Sequence, residues 1–281
     1  MISISEQLLE QLIREDVPYF DLTTHALGIG GAKGRISFAT CADTVLCCTE
    51  EAAGILQRAG AQVTLALPTG SKLEPAVTFL CAQGNAGALH LAWKAAQNLL
   101  EYACGVATKT NQLVRLAQAA SPEVMLYTTR KSVPGTKPVA VKAILAGGAY
   151  PHRLGLSETV LIFDQHLNFT GGIEGFLQQL PALKRKVKEK KVIVELKETS
   201  QAVQLAEAGV DGIQFDKIDA PELLKIIPAL KSIHPAILTL AAGGISESNI
   251  AQYAATGADG LVLTAPYYAK PADIRVELLP V

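Results

Sequence analysis

The chain has almost no net charge, no apolar run long enough for a membrane span, and no cysteine spacing of the metal-site kind. A formal balance of −1 at neutral pH leaves no global field to draw in nucleic acid or an anionic bilayer, so neither partner is expected. No stretch approaches the roughly 20 apolar residues of a transmembrane helix. The opening MISISEQLLEQLIRED has no basic segment followed by an apolar one, so no secretory signal is expected there. It reads as an amphipathic helix capped near Ser3 or Ser5. Cys41, Cys47, Cys48, Cys81 and Cys104 form no Cys-x-x-Cys pair. Such an odd set fits reduced, mostly buried thiols of a cytoplasmic protein and disfavours a catalytic cysteine. Disorder is excluded by composition: 49% of residues are hydrophobic and the mean hydropathy is +0.26. A length of 281 residues suits one large domain or two modest ones.

The chain has two rhythms. Over 34–82, short β-like runs at 35–40, 44–48, 61–67 and 77–81 surround one helical segment at 50–60, as in a small α+β layer. Residues 86–120 are helical almost throughout, with Gly105 as a candidate break or kink. From 124 onward, apolar strand-like runs at 124–128, 159–163, 192–196, 212–215, 237–241 and 260–263 alternate with helical stretches at 138–146, 173–188, 200–208, 220–233 and 246–256. Continuous apolar runs are the mark of strands buried on both faces. The alternation predicts a parallel βα array, closed as a barrel or left open, the short repeats and polar strand ends favouring the barrel, with its chemistry at the C-terminal strand ends. The run KRKVKEKK at 184–191 is a solvated helix end, and the weakly alternating IRVELLPV is an edge strand for the N-terminal layer.

Polar residues gather where strands end. Arg130-Lys131 and His152-Arg153 are two basic pairs, each beside a turn signal, and they point to an anion site. Glu195 and Asp216 each close an apolar run one βα unit apart. Two carboxylates there suit Mg²⁺ or a developing cation; the alternative is that they pair with Lys197 and Lys217. Gly243-Gly244 follows a strand and opens a helical stretch, where backbone N–H groups can approach a phosphate. His152 reads as a binding or structural group rather than a proton donor, because no partner tunes it. The set suits a phosphate- or pyrophosphate-bearing substrate with an acidic co-substrate.

These residues resemble the quinolinate phosphoribosyltransferase family. The resemblance runs from Glu15-Asp16 and Asp21-Leu22-Thr23-Thr24 through 98–108, Thr129-Arg130-Lys131, Gly147-Gly148 and His152-Arg153 to Asp164, His166, Glu195, Asp216, Gly243-Gly244-Ile245 and Thr256-Gly257-Ala258-Asp259. It implies a type II phosphoribosyltransferase of α/β class. An N-terminal α/β sandwich at 1–110, joined by 268–281, would accompany an incomplete parallel α/β barrel at 111–267. It also implies phosphoribosyl pyrophosphate as co-substrate with Mg²⁺, and a homodimer or higher homo-oligomer with the site shared between subunits. By motif match, Lys131, Glu195 and Asp216 would be catalytic, with Glu195 and Asp216 toward ribose and metal. Lys94, Arg130, Lys131, His152, Arg153 and Phe163 would bind substrate, Lys94 in a neighbouring subunit's site. Ala242, Gly243, Gly244, Thr264 and Ala265 would hold the 5′-phosphate.

Three departures bear on the acceptor. Phe163 stands where the family usually has a lysine, Ala242 where it has a serine, and Thr264-Ala265-Pro266-Tyr267-Tyr268 replaces a segment usually reading Gly-Ala-Leu-Thr-His. These changes resemble the ModD subgroup, pyrophosphorylases associated with molybdenum-transport operons. Transfer to an anionic nitrogenous aromatic is therefore expected. The alternatives are retained quinolinate activity of NAD biosynthesis, with Lys137 or Lys142 supplying the missing cation, and a non-catalytic oxyanion-binding protein of molybdenum transport.

Overall fold

The computed structural model describes residues 2–281. In chain order the elements are α1 (Glu6–Asp16), α2 (Leu22–Ala26), β1 (Lys33–Thr40), β2 (Thr44–Val45), α3 (Thr49–Arg58), β3 (Gln62–Ala66), β4 (Lys72–Leu73), β5 (Thr78–Asn85) and α4 (Ala86–Ala120). There follow β6 (Met125–Thr128), α5 (Lys137–Ala146), β7 (Tyr150–Pro151), β8 (Val160–Ile162), α6 (Asp164–Leu167), α7 (Gly172–Lys186), β9 (Val192–Leu196) and α8 (Ala202–Glu207). The chain ends with β10 (Gly212–Asp216), α9 (Ala220–Ile233), β11 (Leu238–Ala242), α10 (Ile250–Ala254), β12 (Gly260–Leu263) and β13 (Ile274–Pro280). Two compact units result. One is the chain up to Gln112 with Ser132–Gly148 and Pro266–Val281; the other is Leu113–Lys131 with Ala149–Ala265. Among the described residues no helix is long and apolar enough to cross a membrane.

The first unit is built on an antiparallel sheet of order β13-β1-β5-β3. The weakly alternating C-terminus takes the edge as β13, paired with β1 from Gly34↔Pro280 to Thr40↔Ile274. Ser5 caps α1 by accepting from the Leu8 amide, and Glu6 in the first turn complements the helix dipole. Cys47, Cys48 and Cys104 are buried, and all five cysteines are free thiols. Burial pushes the Cys104 thiol up to about 12, away from the thiolate a nucleophile needs.

Helix α4 runs for 35 residues without interruption, so Gly105, a candidate break or kink, does not break it. The glycine serves close packing instead. A Cβ there would lie 2.4 Å from the Lys270 carbonyl oxygen and 3.0 Å from the Ala272 nitrogen. Its absence lets the Pro271 segment press on the helix, where the Ala272 amide donates to the Glu101 carbonyl at 2.8 Å.

Ser132–Gly148, which carries α5, groups with the first unit rather than with the barrel as expected. Val139, Ala140, Val141, Ala143 and Ile144 of α5 are buried, and one further tie is electrostatic. Lys142 is only 3% exposed, and its ammonium lies 2.6 Å from Glu51 and 3.0 Å from Glu50 of α3. A buried cation is tolerated only with such partners.

The second unit is a seven-stranded sheet of order β7-β6-β12-β11-β10-β9-β8, parallel throughout. Among the described residues its two outer strands, β7 and β8, are not paired to each other, so the barrel is incomplete. Six strands match the apolar runs, while Tyr150–Pro151 is a two-residue strand with no periodic signal. Side chains two apart share a face. On the inner face Leu161, Ile193, Leu240, Ala242 and Val262 form one buried cluster, with Tyr127, Phe163 and Leu238 packed against it. Further along the same strands the inner positions turn polar: Glu195 follows Ile193, and Gln214 and Asp216 follow Gly212.

The packing at Gly105 is testable. Gly→Ala inside an exposed helix gains about 1 kcal/mol. Here the overlap is with backbone atoms that cannot rotate away. Gly105→Ala is expected to destabilise by on the order of 1–3 kcal/mol. The reading is a lower urea midpoint at unchanged m-value; an unchanged or higher midpoint would sink the close-approach account.

Candidate active site

The C-terminal strand ends of the second unit enclose a cavity of about 540 Å³. Arg130, Lys131, His152, Arg153, Phe163, Glu195, Asp216, Ala242, Gly243, Gly244, Thr264 and Ala265 all line it. Lys94 does not; it lies on α4 in the first unit, donates to Gln97 at 2.9 Å and sits 4.8 Å over the Trp93 ring. A second cavity of about 370 Å³, within the first unit, is walled mainly by apolar side chains of α1, α4 and α5. It brings no cation and carboxylate pairs together, so the chemistry points to the larger one.

The parallel register sets the acidic wall. Glu195 of β9 lies opposite Gln214 of β10, so Asp216 stands two residues further along than Glu195's partner. Neither carboxylate takes the lysine considered from the sequence. Glu195 accepts a hydrogen bond of 2.5 Å from the Gln214 side-chain amide, while Lys197 reaches Asp164 at 2.6 Å. Burial pushes Glu195 above the usual carboxylate range, opposed by the Gln214 hydrogen bond and reinforced by the charge of Asp216. The two carboxylates therefore repel, and a cation between them would relieve that.

The basic wall is less charged than its sequence suggests. Burial, and then the neighbouring Arg153, hold His152 down to about 4, so at neutral pH it is an uncharged ring set edge-on to Tyr127. Arg153 is buried and held below its ordinary value by that burial and by Arg130. Its guanidinium carbon lies 5.9 Å from the centre of the Phe163 ring, which stacks on His166 on another side. The His166 Nδ1 accepts from the Phe163 amide at 3.0 Å, fixing both rings. The anion-binding charge thus comes from Arg130, Lys131 and Arg153, with Lys197 also at the wall.

The glycine loop differs from expectation. No helix spans 246–256; α10 begins only at Ile250. Asn249 closes a turn first, its Oδ1 accepting from the Ser246 amide at 2.7 Å and its Nδ2 donating to the Gly244 carbonyl at 3.0 Å. Gly243 is required at its position: φ is +77°, and a Cβ would lie 2.4 Å from Asp216 Oδ1. Its missing side chain is what lets the Asp216 carboxylate sit against the loop. Beside it, the Thr129 and Thr264 hydroxyls hydrogen-bond at 2.9 Å, adding polar groups at the mouth.

Sequence reasoning missed Gln214 and the cavity position of Lys197. The signal for Gln214 was present as an amide inside the run Gly212-Ile213-Gln214-Phe215, at even spacing from Asp216. Chemically, the arrangement can hold a polyanion by its cations and stabilise a positive centre by its carboxylates.

The quinolinate phosphoribosyl transferase C-terminal domain model matches residues 106–277, and the N-terminal domain model matches 21–104. A protein of Escherichia coli O157:H7 named "Putative pyrophosphorylase ModD" is 35% identical over 280 residues, covering 100% of this chain and 99% of its own. Its namesake from Rhodobacter capsulatus is 38% identical, covering 89% of this chain and 96% of its own. Among solved structures, NadC from Streptococcus pyogenes superposes with a TM-score of 0.89 over 100% of both chains; at 21% identity this speaks for the fold.

The neutral His152 gives a pH prediction. An NMR titration should place its midpoint near 4, below the ordinary 6.5. An unfolded chain takes up this proton below 6.5 while the folded one resists until about 4. Protonation therefore favours unfolding, and this contribution to stability is lost as pH falls through that window. A midpoint at or above 6.5 would refute the burial account.

Proposed function

The chain belongs to the quinolinate phosphoribosyl transferase family, and on that premise we propose that it transfers the phosphoribosyl group of phosphoribosyl pyrophosphate to an anionic nitrogenous aromatic, as a ModD-like pyrophosphorylase. The observation that carries the reading is one cavity in which Arg130, Lys131 and Arg153 open onto the same space as Glu195 and Asp216. The C1–O bond to pyrophosphate breaks as a C1–N bond to the acceptor forms. Lys131 and Arg130 steady the departing pyrophosphate, and Arg153 holds the acceptor's anionic group. Glu195 and Asp216 stabilise the positive charge that grows at the ribosyl centre. Gly243, Gly244 and Ala242, with Thr264 and Ala265, take the 5′-phosphate, and neutral His152 serves as a hydrogen-bonding wall.

Mg²⁺ fits the donors present. Glu195 and Asp216 offer only oxygens, and their mutual repulsion favours a hard cation. Among the described residues no group of three or more His, Cys, Asp or Glu could hold a metal, so substrate oxygens and water would complete its shell. Bound there with the donor, the ion would neutralise pyrophosphate charge. In the same reading Lys94, absent from its own chain's cavity lining, reaches the site of a partner copy in a dimer.

Quinolinate as acceptor is the less favoured reading. A dicarboxylate calls for cations, and Phe163 presents a ring. Lys142 cannot stand in, being held by Glu50 and Glu51 in the first unit.

The test is pyrophosphate release from phosphoribosyl pyrophosphate and Mg²⁺ with a panel of pyridine and related acids. Activity with one of them is expected, and Glu195→Gln should lower kcat on the order of a hundredfold. No release with any acceptor together with no donor binding would overturn the proposal.

A further inference from the structure

We infer that Gln214 selects the acceptor, its side-chain carbonyl taking a hydrogen bond from an acceptor N–H; the inference rests on the phosphoribosyl-transfer reading above. Gln214 occupies the inner-face position of β10 between Gly212 and Asp216, lines the cavity, and is 5% exposed. Its Nε2 donates to Glu195 Oε2 at 2.5 Å. With Glu195 ionised its carboxylate only accepts, which sets the amide nitrogen on Glu195 and the oxygen away from it. That oxygen is buried and no donor of the protein meets it.

A buried amide oxygen without a partner is costly, and a protein keeps one where something else completes it. The inner-face neighbours Leu240 and Ile193 show what the position takes when only packing matters. An apolar side chain of the same length would fill Gln214's space without the orphaned oxygen.

The two ends of the cavity then make opposite demands. Arg130, Lys131 and Arg153 can only donate, and they recognise an anionic group. Gln214 Oε1 and ionised Glu195 can only accept, and they recognise N–H. A carboxylate directed at them would meet two acceptor oxygens and be rejected. The acceptor class that satisfies both ends is a heteroaromatic acid bearing an exocyclic amino group or ring N–H on the edge away from its anionic group. Phe163 adds an aromatic side chain to the same lining.

The test uses the full chain with phosphoribosyl pyrophosphate and Mg²⁺ present. Calorimetry measures binding of 2-aminonicotinate and 6-aminonicotinate against their methyl isosteres, 2-methylnicotinate and 6-methylnicotinate. The wild type should prefer at least one amino compound by tenfold or more. Gln214→Met, unbranched and of similar length, should bring that ratio to within twofold. The ratio is read within each protein, so a general weakening passed on through Glu195 cancels. A wild-type ratio near one, as when a water completes the carbonyl, overturns the inference without any variant. So does an undiminished ratio in Gln214→Met, or no binding of either amino compound. If phosphoribosyl pyrophosphate binds while the ratio is absent, only Gln214's role fails. If the donor does not bind, the proposed function fails with it.

Discussion

The parallel register of the second unit's sheet is the constraint on which its site depends. Parallel strands pair without reversal, and side chains two apart share a face. One in-register inner face therefore passes through every strand in the same direction. Its first inner positions, Leu161, Ile193 and Leu238, pack as hydrophobic core. The next, Phe163, Glu195 and Gln214, and then Asp216 and Ala242, bring side chains to the cavity. The apolar floor and polar mouth thus follow from one alternation carried two residues further. Slipping a strand by one residue would bury Glu195 in the outer layer and turn Leu196 into the cavity. The fold and the site are fixed by the same ladder.

That ladder also explains the distribution of charge. Arg130, Lys131 and Arg153 come from the segments after β6 and β7, at one side of the strand order, and the carboxylates from β9 and β10 at the other, where Lys197 after β9 is taken up by Asp164. Sequence counting treated the basic wall as four cations. Burial removes one, since His152 is driven neutral, and it strains another, since Arg153 is desolvated beside Arg130. The acidic wall is moderated by Gln214, whose hydrogen bond offsets part of the cost of burying Glu195. Desolvation here limits net charge while strengthening each interaction that a ligand makes.

Much of this was legible in the chain. Apolar runs located the strands of the parallel sheet because strands buried on both faces have little freedom in composition. A capping serine near the N-terminus marks the first helix, and of Ser3 and Ser5 it is Ser5 that caps it. The misses share a cause: they depend on partners distant in sequence. Gly105 reads as a helix breaker until Lys270 is seen against it. The segment carrying α5 reads as barrel until Lys142 is seen between Glu50 and Glu51. The stretch after Gly244 reads as helix because its composition permits one, but Asn249 turns back on Ser246 and Gly244 and delays it. Gln214 is hidden within an apolar run because charge marks a strand end in the sequence, and an amide carries none.

Those partners also bear on the acceptor. If Phe163 merely displaced a cation, a nearby lysine could restore the charge. The structure constrains that repair. Lys142 is neutralised by two glutamates, and Lys197, at the cavity wall, is paired with Asp164 immediately after Phe163. Phe163 in turn is held by the stack with His166 and by the guanidinium of Arg153. Reinstating a lysine at 163 would add another cation beside Arg153, which Arg130 already opposes, and remove the ring next to it, raising repulsion in a partly desolvated wall. The aromatic is therefore tied to its neighbours rather than being an isolated substitution. An amide that can only accept on its free side, an aromatic face, and an unchanged basic cluster change together what the cavity can complement: less anionic charge, more ring, and a hydrogen-bond donor where a second carboxylate would be refused.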